Sequence, residues 1–232
     1  MRIGIVLAME EEFKAVSTLA LQKLMNDDSY KIYMSKYKNL EVFAIIAKIG
    51  KAAAASATTH LINRHNPDFL INLGSSGGVN SAKIASIVLG NAAGYYDVDA
   101  TAFGYKLGQL PQQKEFFTSQ ESIVKFNDLL SAVKKQHEVL NGFVITGDSF
   151  VADKTKVDSI KTMYQNTMAI EMEAAAFAQV CNTYNKDFLL VKKISDMADS
   201  GADKSFKEEI AKMSENTTSV MQAVLDYLSD LK

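Results

Sequence analysis

The chain has 232 residues, 47% of them hydrophobic, enough for one compact domain to bury a sizeable core. A net charge of −2 leaves no basic surplus to attract a phosphate backbone or an anionic membrane, so neither nucleic acid nor a membrane surface is an expected partner. The single cysteine, Cys181, excludes an intramolecular disulfide, and His60, His65 and His137 show no zinc-ligand spacing, so no metal is expected.

The first apolar run, residues 3–7, reads as a buried strand, and Glu10, Glu11 and Glu12 follow it where a signal-peptide cleavage site would carry small residues. No later run approaches the roughly 20 apolar residues of a membrane helix, so a reducing cytoplasmic setting is expected. A helix is predicted over 11–24, and because successive helical residues diverge by about 100°, at most one or two of the three glutamates can share a cleft. These acids suit the positive end of a helix as well as a catalytic site, and the segment alone does not decide between the two.

Further strands are predicted at 42–46, 69–73, 142–146 and 188–194, with helices at 51–63, 121–135 and 173–184. This alternation is the pattern of an α/β fold. After the strand at 69–73, Gly74-Ser75-Ser76-Gly77-Gly78 reads as a flexible turn that lets backbone approach a ligand, without the spacing of a phosphate-binding or dinucleotide-binding loop. Residues 95–117 are aromatic-rich, weakly periodic and contain Pro111, which suits a long ordered loop. Glu171-Met172-Glu173 places two carboxylates and a soft apolar side chain at a helix entrance, and Asp196 follows an apolar strand where desolvation can raise its pKa into a proton donor's range. Ser205 and Glu208 read as a capping box that starts the final helix, with Ile210, Met213, Val220, Val224, Leu228 and Leu231 as its buried stripe. Four strands thus end in polar or acidic residues that would gather at one sheet edge, where α/β proteins bind ligands.

Six motifs in order, Ala-Met-Glu-Glu-Glu at 8–12, Asn-x-Gly-Ser-x-Gly-Gly at 72–78, Asp-x-Thr-Ala-Phe-Gly-Tyr at 99–105, Gly-Asp-x-Phe at 147–150, Glu-Met-Glu-Ala at 171–174 and Ile-Ser-Asp-x-Ala-Asp at 194–199, span the chain. In these the chain resembles the bacterial 5′-methylthioadenosine/S-adenosylhomocysteine nucleosidases of the nucleoside phosphorylase and nucleosidase superfamily. The resemblance implies a single three-layer α/β domain over residues 1–232, with a central mixed twisted sheet flanked by helices. It also implies hydrolysis of the N-glycosidic bond of 5′-methylthioadenosine or S-adenosylhomocysteine, with no cofactor, in a homodimer.

By the same resemblance Glu12 would activate water at the anomeric carbon, Asp196 would protonate adenine at N7, and Glu173 would accept the ribose hydroxyls. Met9 and Met172 would line the sugar, Phe150 would stack on adenine, and the Val151 backbone would read the purine edge. Ser75 would support the sugar side and Ser195 would support Asp196, while Ile49 and Phe206 would wall the 5′ pocket. Ala100, Phe103, Tyr105 and Pro111 would reach the neighbouring subunit's pocket, although Tyr105 serves equally as a packing residue. The chain departs from the family at Leu7, at Ala47-Lys48, at Tyr96 and at Lys192, which replaces an arginine. Lysine lacks the planar fork for a bidentate carboxylate contact, and the sequence leaves open whether Lys192 is only a peripheral charge. A phosphorylase would need cationic clamps for phosphate, and the only arginines are Arg2 and Arg64, neither beside the glycine-rich segment. A nucleoside-binding protein without turnover would not need both Glu12 and Asp196.

Overall fold

Apolar runs too hydrophobic for a one-sided sheet form the central strands of a computed structural model that describes residues 1–19, 22–23 and 30–231. The first half of the chain forms β1 (Arg2–Leu7), α1 (Glu10–Phe13), a 3₁₀ helix (Lys14–Leu19), β2 (Gln22–Lys23), β3 (Lys31–Tyr37), β4 (Leu40–Ile46), α2 (Lys51–His65), β5 (Phe69–Gly78), β6 (Ile87–Gly90), β7 (Ala92–Tyr95), a second 3₁₀ turn (Thr101–Phe103) and β8 (Phe117–Thr118). Then come α3 (Phe126–Lys134), β9 (Leu140–Asn141), β10 (Phe143–Thr146), α4 (Lys154–Met163), β11 (Thr167–Glu171), α5 (Ala174–Thr183), β12 (Asp187–Asp196), α6 (Ala202–Ile210) and α7 (Thr217–Asp230).

The sheet is mixed and branches at β5. Along its first half β5 lies parallel to both β1 and β12, and at Gly77 and Gly78 it turns to pair antiparallel with β11. Beyond β11 the order continues through β10, β7 and β8, while β4, β3 and β2 extend the opposite side. Apolar side chains of α2 and α5, among them Leu61 and Phe177, cover one face. Leu129 and Val133 of α3 and Val220, Val224 and Leu228 of α7 cover the other, giving the three-layer α/β architecture. Cys181 is buried in α5, and among the described residues no helix is long and apolar enough to cross a membrane.

Several elements differ from the sequence-based expectation. The helix predicted over 11–24 ends after Phe13, tightens into the 3₁₀ helix and gives way to β2; residues 20, 21 and 24 lie outside the described residues. Ser17 donates its hydroxyl to the Lys14 carbonyl at 2.7 Å, a local bond that competes with helix continuation. The helix predicted from 121 starts at Phe126, because the Asp187 carboxylate accepts the amides of Ile123 and Val124 at 2.5 and 3.3 Å and holds that stretch as a turn. Ser205 does not start the final helix: it lies inside α6, and Asn216, at φ 60°, separates α6 from α7. Of the predicted stripe, Met213, Val220, Val224 and Leu228 are buried and Ile210 and Leu231 only partly so, and it is divided among α6, the connection and α7 instead of lying on one helix.

The most consequential difference is that residues 74–78 form no turn. They continue β5 to Gly78, since small residues let this strand lie between β12 and β11 where side chains crowd in.

Candidate active site

Glu12 alone of the three N-terminal glutamates turns inward. Glu10 and Glu11 stay exposed, Glu10 pairing with Lys31, whereas Glu12 is 2% exposed. One Glu12 oxygen accepts the amides of Ala8 and Met9 at 2.9 and 3.1 Å, and the other accepts the amide and hydroxyl of Ser75 at 2.9 and 3.1 Å. The acid therefore caps its own helix and also lines the cleft. Burial lifts its pKa above the ordinary 4.5, against the opposing pull of the Ser75 amide, the Lys192 charge and the amides of Ala8 and Met9. Gly74 makes this packing possible, because a Cβ there would stand 2.9 Å from a Glu12 oxygen and 3.4 Å from the Lys192 ammonium.

Asp196 ends β12 just past an irregularity that interrupts its register with β5. Its carboxylate accepts the Ser195 hydroxyl and the Ala198 amide, each at 2.9 Å, with Ala198 in the left-handed region at φ 53°. Burial raises its pKa above 3.8; those two donors oppose the shift and the Asp199 charge adds to it.

At the end of β11 the two acids of the Glu-Met-Glu segment divide. Glu173 accepts the Gly50 amide at 2.8 Å, from a glycine at φ 105°. Burial and the neighbouring Glu171 charge push its pKa up to about 8, partly offset by Lys192 and the Gly50 amide. Glu171 faces the interior, accepting Thr146 Oγ1 at 2.5 Å, the Glu173 amide at 3.1 Å and the Lys192 ammonium at 2.8 Å. Lys192 is 1% exposed, so it is no peripheral charge: one buried ammonium serves a group of three buried carboxylates. Neither Glu171's inward role nor Thr146 was legible as such. A signal existed in Lys192-Lys193 interrupting an apolar strand, since a buried lysine requires a partner.

A cavity of about 440 Å³ opens at this sheet edge, lined by Glu12, Asp196, Met9, Ile49, Ser75, Phe150, Val151, Met172, Glu173, Ser195 and Phe206. Every site residue expected on this subunit thus meets in one place. Phe150 and Phe206 meet edge to face with centroids 5.8 Å apart. Sequence reasoning missed Ala8, Ser76, Gly77, Ser149, Ile170, Glu171, Ala198, Asp203 and Lys207, which also line the cavity. Ala100, Phe103, Tyr105 and Pro111 do not line it; Phe103 projects outward at 82% exposure. Leu7, Ala47 and Lys48 do not reach it either, and the Tyr96 hydroxyl is taken up by Ser149 at 2.8 Å.

The phosphorylase superfamily model matches residues 2–229. A curated 5′-methylthioadenosine/S-adenosylhomocysteine nucleosidase of Buchnera aphidicola is 37% identical over 235 residues, covering 100% of both chains. The chain belongs to this nucleosidase family of the phosphorylase superfamily. Among solved structures, the S-adenosylhomocysteine nucleosidase of Streptococcus pyogenes in complex with 5-methylthiotubericidin is 32% identical with a TM-score of 0.88, over 98% of this chain and 97% of that one. The 5′-methylthioadenosine/S-adenosylhomocysteine nucleosidase of Neisseria meningitidis in complex with methylthio-immucillin-A is 29% identical with a TM-score of 0.90, over 97% and 99%. Family membership accounts for the fold; the Lys192–Glu171 pair is read from this chain's own geometry.

Proposed function

We propose that this chain is an adenosine-type N-glycosidase that hydrolyses 5′-methylthioadenosine or S-adenosylhomocysteine, releasing adenine and the 5′-thio-substituted ribose. The observation that carries the reading is the meeting of Glu12, Glu173 and Asp196, three buried carboxyl groups in unlike environments, on one largely apolar cavity. Glycosidic cleavage builds positive charge on the sugar and negative charge on the departing base, so it needs one ionised and one protonated acid. Glu12 is the base in this reading. Its four fixed donors and the Lys192 charge favour the ionised form and aim the carboxylate, which can take a proton from water attacking the anomeric carbon. Asp196 is the acid in this reading: burial raises its pKa above 3.8, the direction that a proton donor to adenine N7 requires.

Glu173 receives the ribose hydroxyls. Two ribose hydroxyls donating to it would stabilise its ionised form and so oppose the burial that raises its pKa, the proton passing to solvent. Met9 and Met172 line the sugar, Ser75 and Ser195 hold the two catalytic acids, Phe150 stacks on the purine and the Val151 backbone reads its edge. Ile49 and Phe206 form the apolar wall for the 5′ group. The chain's two arginines favour water over phosphate as nucleophile: Arg2 is spent on Glu41 and the His65 carbonyl, Arg64 is exposed on α2, and neither lines the cavity. Adenine release from methylthioadenosine in phosphate-free buffer tests this, and strict phosphate dependence with a sugar phosphate product would reassign the chain as a phosphorylase.

A cytoplasmic homodimer is the setting that fits this reading. Ile49 and Phe150 are 54% and 48% exposed at the cavity, which leaves an apolar opening for the partner's Ala100, Phe103, Tyr105 and Pro111 to cover. Sedimentation of the chain and its Phe103→Ser variant, together with the KM of each, checks that assignment; a monomeric parent of full activity would reject it.

A further inference from the structure

Lys193 is a buried charge that the proposed chemistry does not use. It is 2% exposed, and strand alternation sends it to the opposite face of β12 from Lys192. There its ammonium donates to the carbonyl of Lys212, just past the end of α6, and stands 4.0 Å from the Glu209 carboxylate. Glu209 also holds the Lys212 ammonium at 2.8 Å. A cation at a helix C-terminus answers both the unpaired carbonyls and the negative end of the helix dipole. An ammonium withdrawn from water to this extent is tolerated only with such partners.

What Lys193 grips is the helix that carries Phe206. Within the nine residues of α6 only Ala202 is fully buried, and Phe206 and Ile210 are half-buried, so apolar packing holds the N-terminal end more firmly than the rest. A helix this short depends on tertiary anchors for its position. At the other end the anchors are Met213, buried just beyond the helix, and the Lys193 contact. Glu209 follows Phe206 by three residues, so the two lie on neighbouring positions of one helical face. Holding Glu209 and the Lys212 carbonyl therefore sets the rotation and height of the helix at Phe206, which meets Phe150 across the cavity wall. Burial lowers the Lys193 pKa, with Lys212 adding slightly, while Glu209 and Glu215 act to keep it charged.

We propose that Lys193 is a positioning residue of the substrate pocket: its buried ammonium ties the C-terminal end of α6 to β12 and so sets where Phe206 stands. The inference rests on the hydrolase reading only for its readout. With methylthioadenosine as substrate, Lys193→Met should raise KM roughly tenfold while kcat stays within about twofold, because ground-state contacts are lost and both acids stay in place. In a cycle with Phe206→Ala, the double variant should be little worse than Phe206→Ala alone, since both changes remove one contact. An unchanged KM for Lys193→Met, or effects that simply add, overturns the proposal. If Lys193→Met does not fold, Glu209→Gln takes its place in the cycle, with a smaller KM rise and the same non-additivity expected and additivity again decisive against. Should the parent release no adenine, the hydrolase reading fails separately, and the same cycle is then read from the Kd for methylthioadenosine.

Discussion

Two glycines decide how the acids of this site stand. A Cβ on Gly74 would meet a Glu12 oxygen at 2.9 Å, and one on Gly77 would meet Asp196 Oδ1 at 3.0 Å and the Ala198 Cβ at 3.1 Å. Gly74→Ala should therefore displace the proposed base from its four donors and lower kcat by at least ~10²-fold, the scale on which small misplacements act, with circular dichroism unchanged. Full activity in that variant would show that the position of Glu12 is not critical. Asp196→Asn should keep ligand affinity and lose roughly 10²–10⁴ in turnover, the usual contribution of a general acid. Turnover near that of the parent would move the acid to another group. At this scale the motifs made Glu12, Glu173 and Asp196 legible. The pairing of Lys192 with Glu171 was not, because the two strands that carry them are separated by the whole of α5 in sequence and do not pair with each other in the sheet.

Between β11 and β12 that pair joins elements across the centre of the molecule, with side chains only 2% and 1% exposed. Removing one member leaves the other buried without its counter-charge, so Lys192→Met should cost about 3–5 kcal/mol of stability in urea unfolding, more than a surface lysine would. A loss below about 1 kcal/mol would mean that Glu171 is adequately held by Thr146 and the amides of Glu173 and Ala174. Elements with strong local patterns were readable: β1, β4, α2, α5 and β12 all lie where periodicity puts them, within a few residues. Those that were missed or misplaced answer to distant partners. β7, Ala-Ala-Gly-Tyr, has little strand propensity and exists because β10 and β8 flank it. The start of α3 is set by Asp187 on β12, and the break between α6 and α7 by a left-handed residue that helical spacing conceals.

Across the whole molecule, burying carboxyl groups at one sheet edge couples stability to pH. Glu173 holds its proton up to about 8 when folded, against 4.5 ordinarily, so between those values the unfolded chain gives up a proton that the folded chain keeps. Its contribution therefore falls as pH rises through that window and levels off above it. The raised pKa values of Glu12 and Asp196 act with the same sign. Thermal unfolding of the ligand-free protein between pH 5 and 8 should accordingly show a shallower decline in Glu173→Gln than in the parent, and equal slopes would contradict the burial-raised pKa. The amino-acid sequence by itself determined the α/β class, the family and the acids at the strand ends, because periodicity and ordered motifs are local and survive without coordinates. Only the tertiary structure decided that residues 74–78 are strand, that Lys192 is the buried counter-charge of Glu171, and that Lys193 grips α6. Each of those depends on which strand lies beside β5 and which side chain then loses its water, and the branching of the sheet sets both.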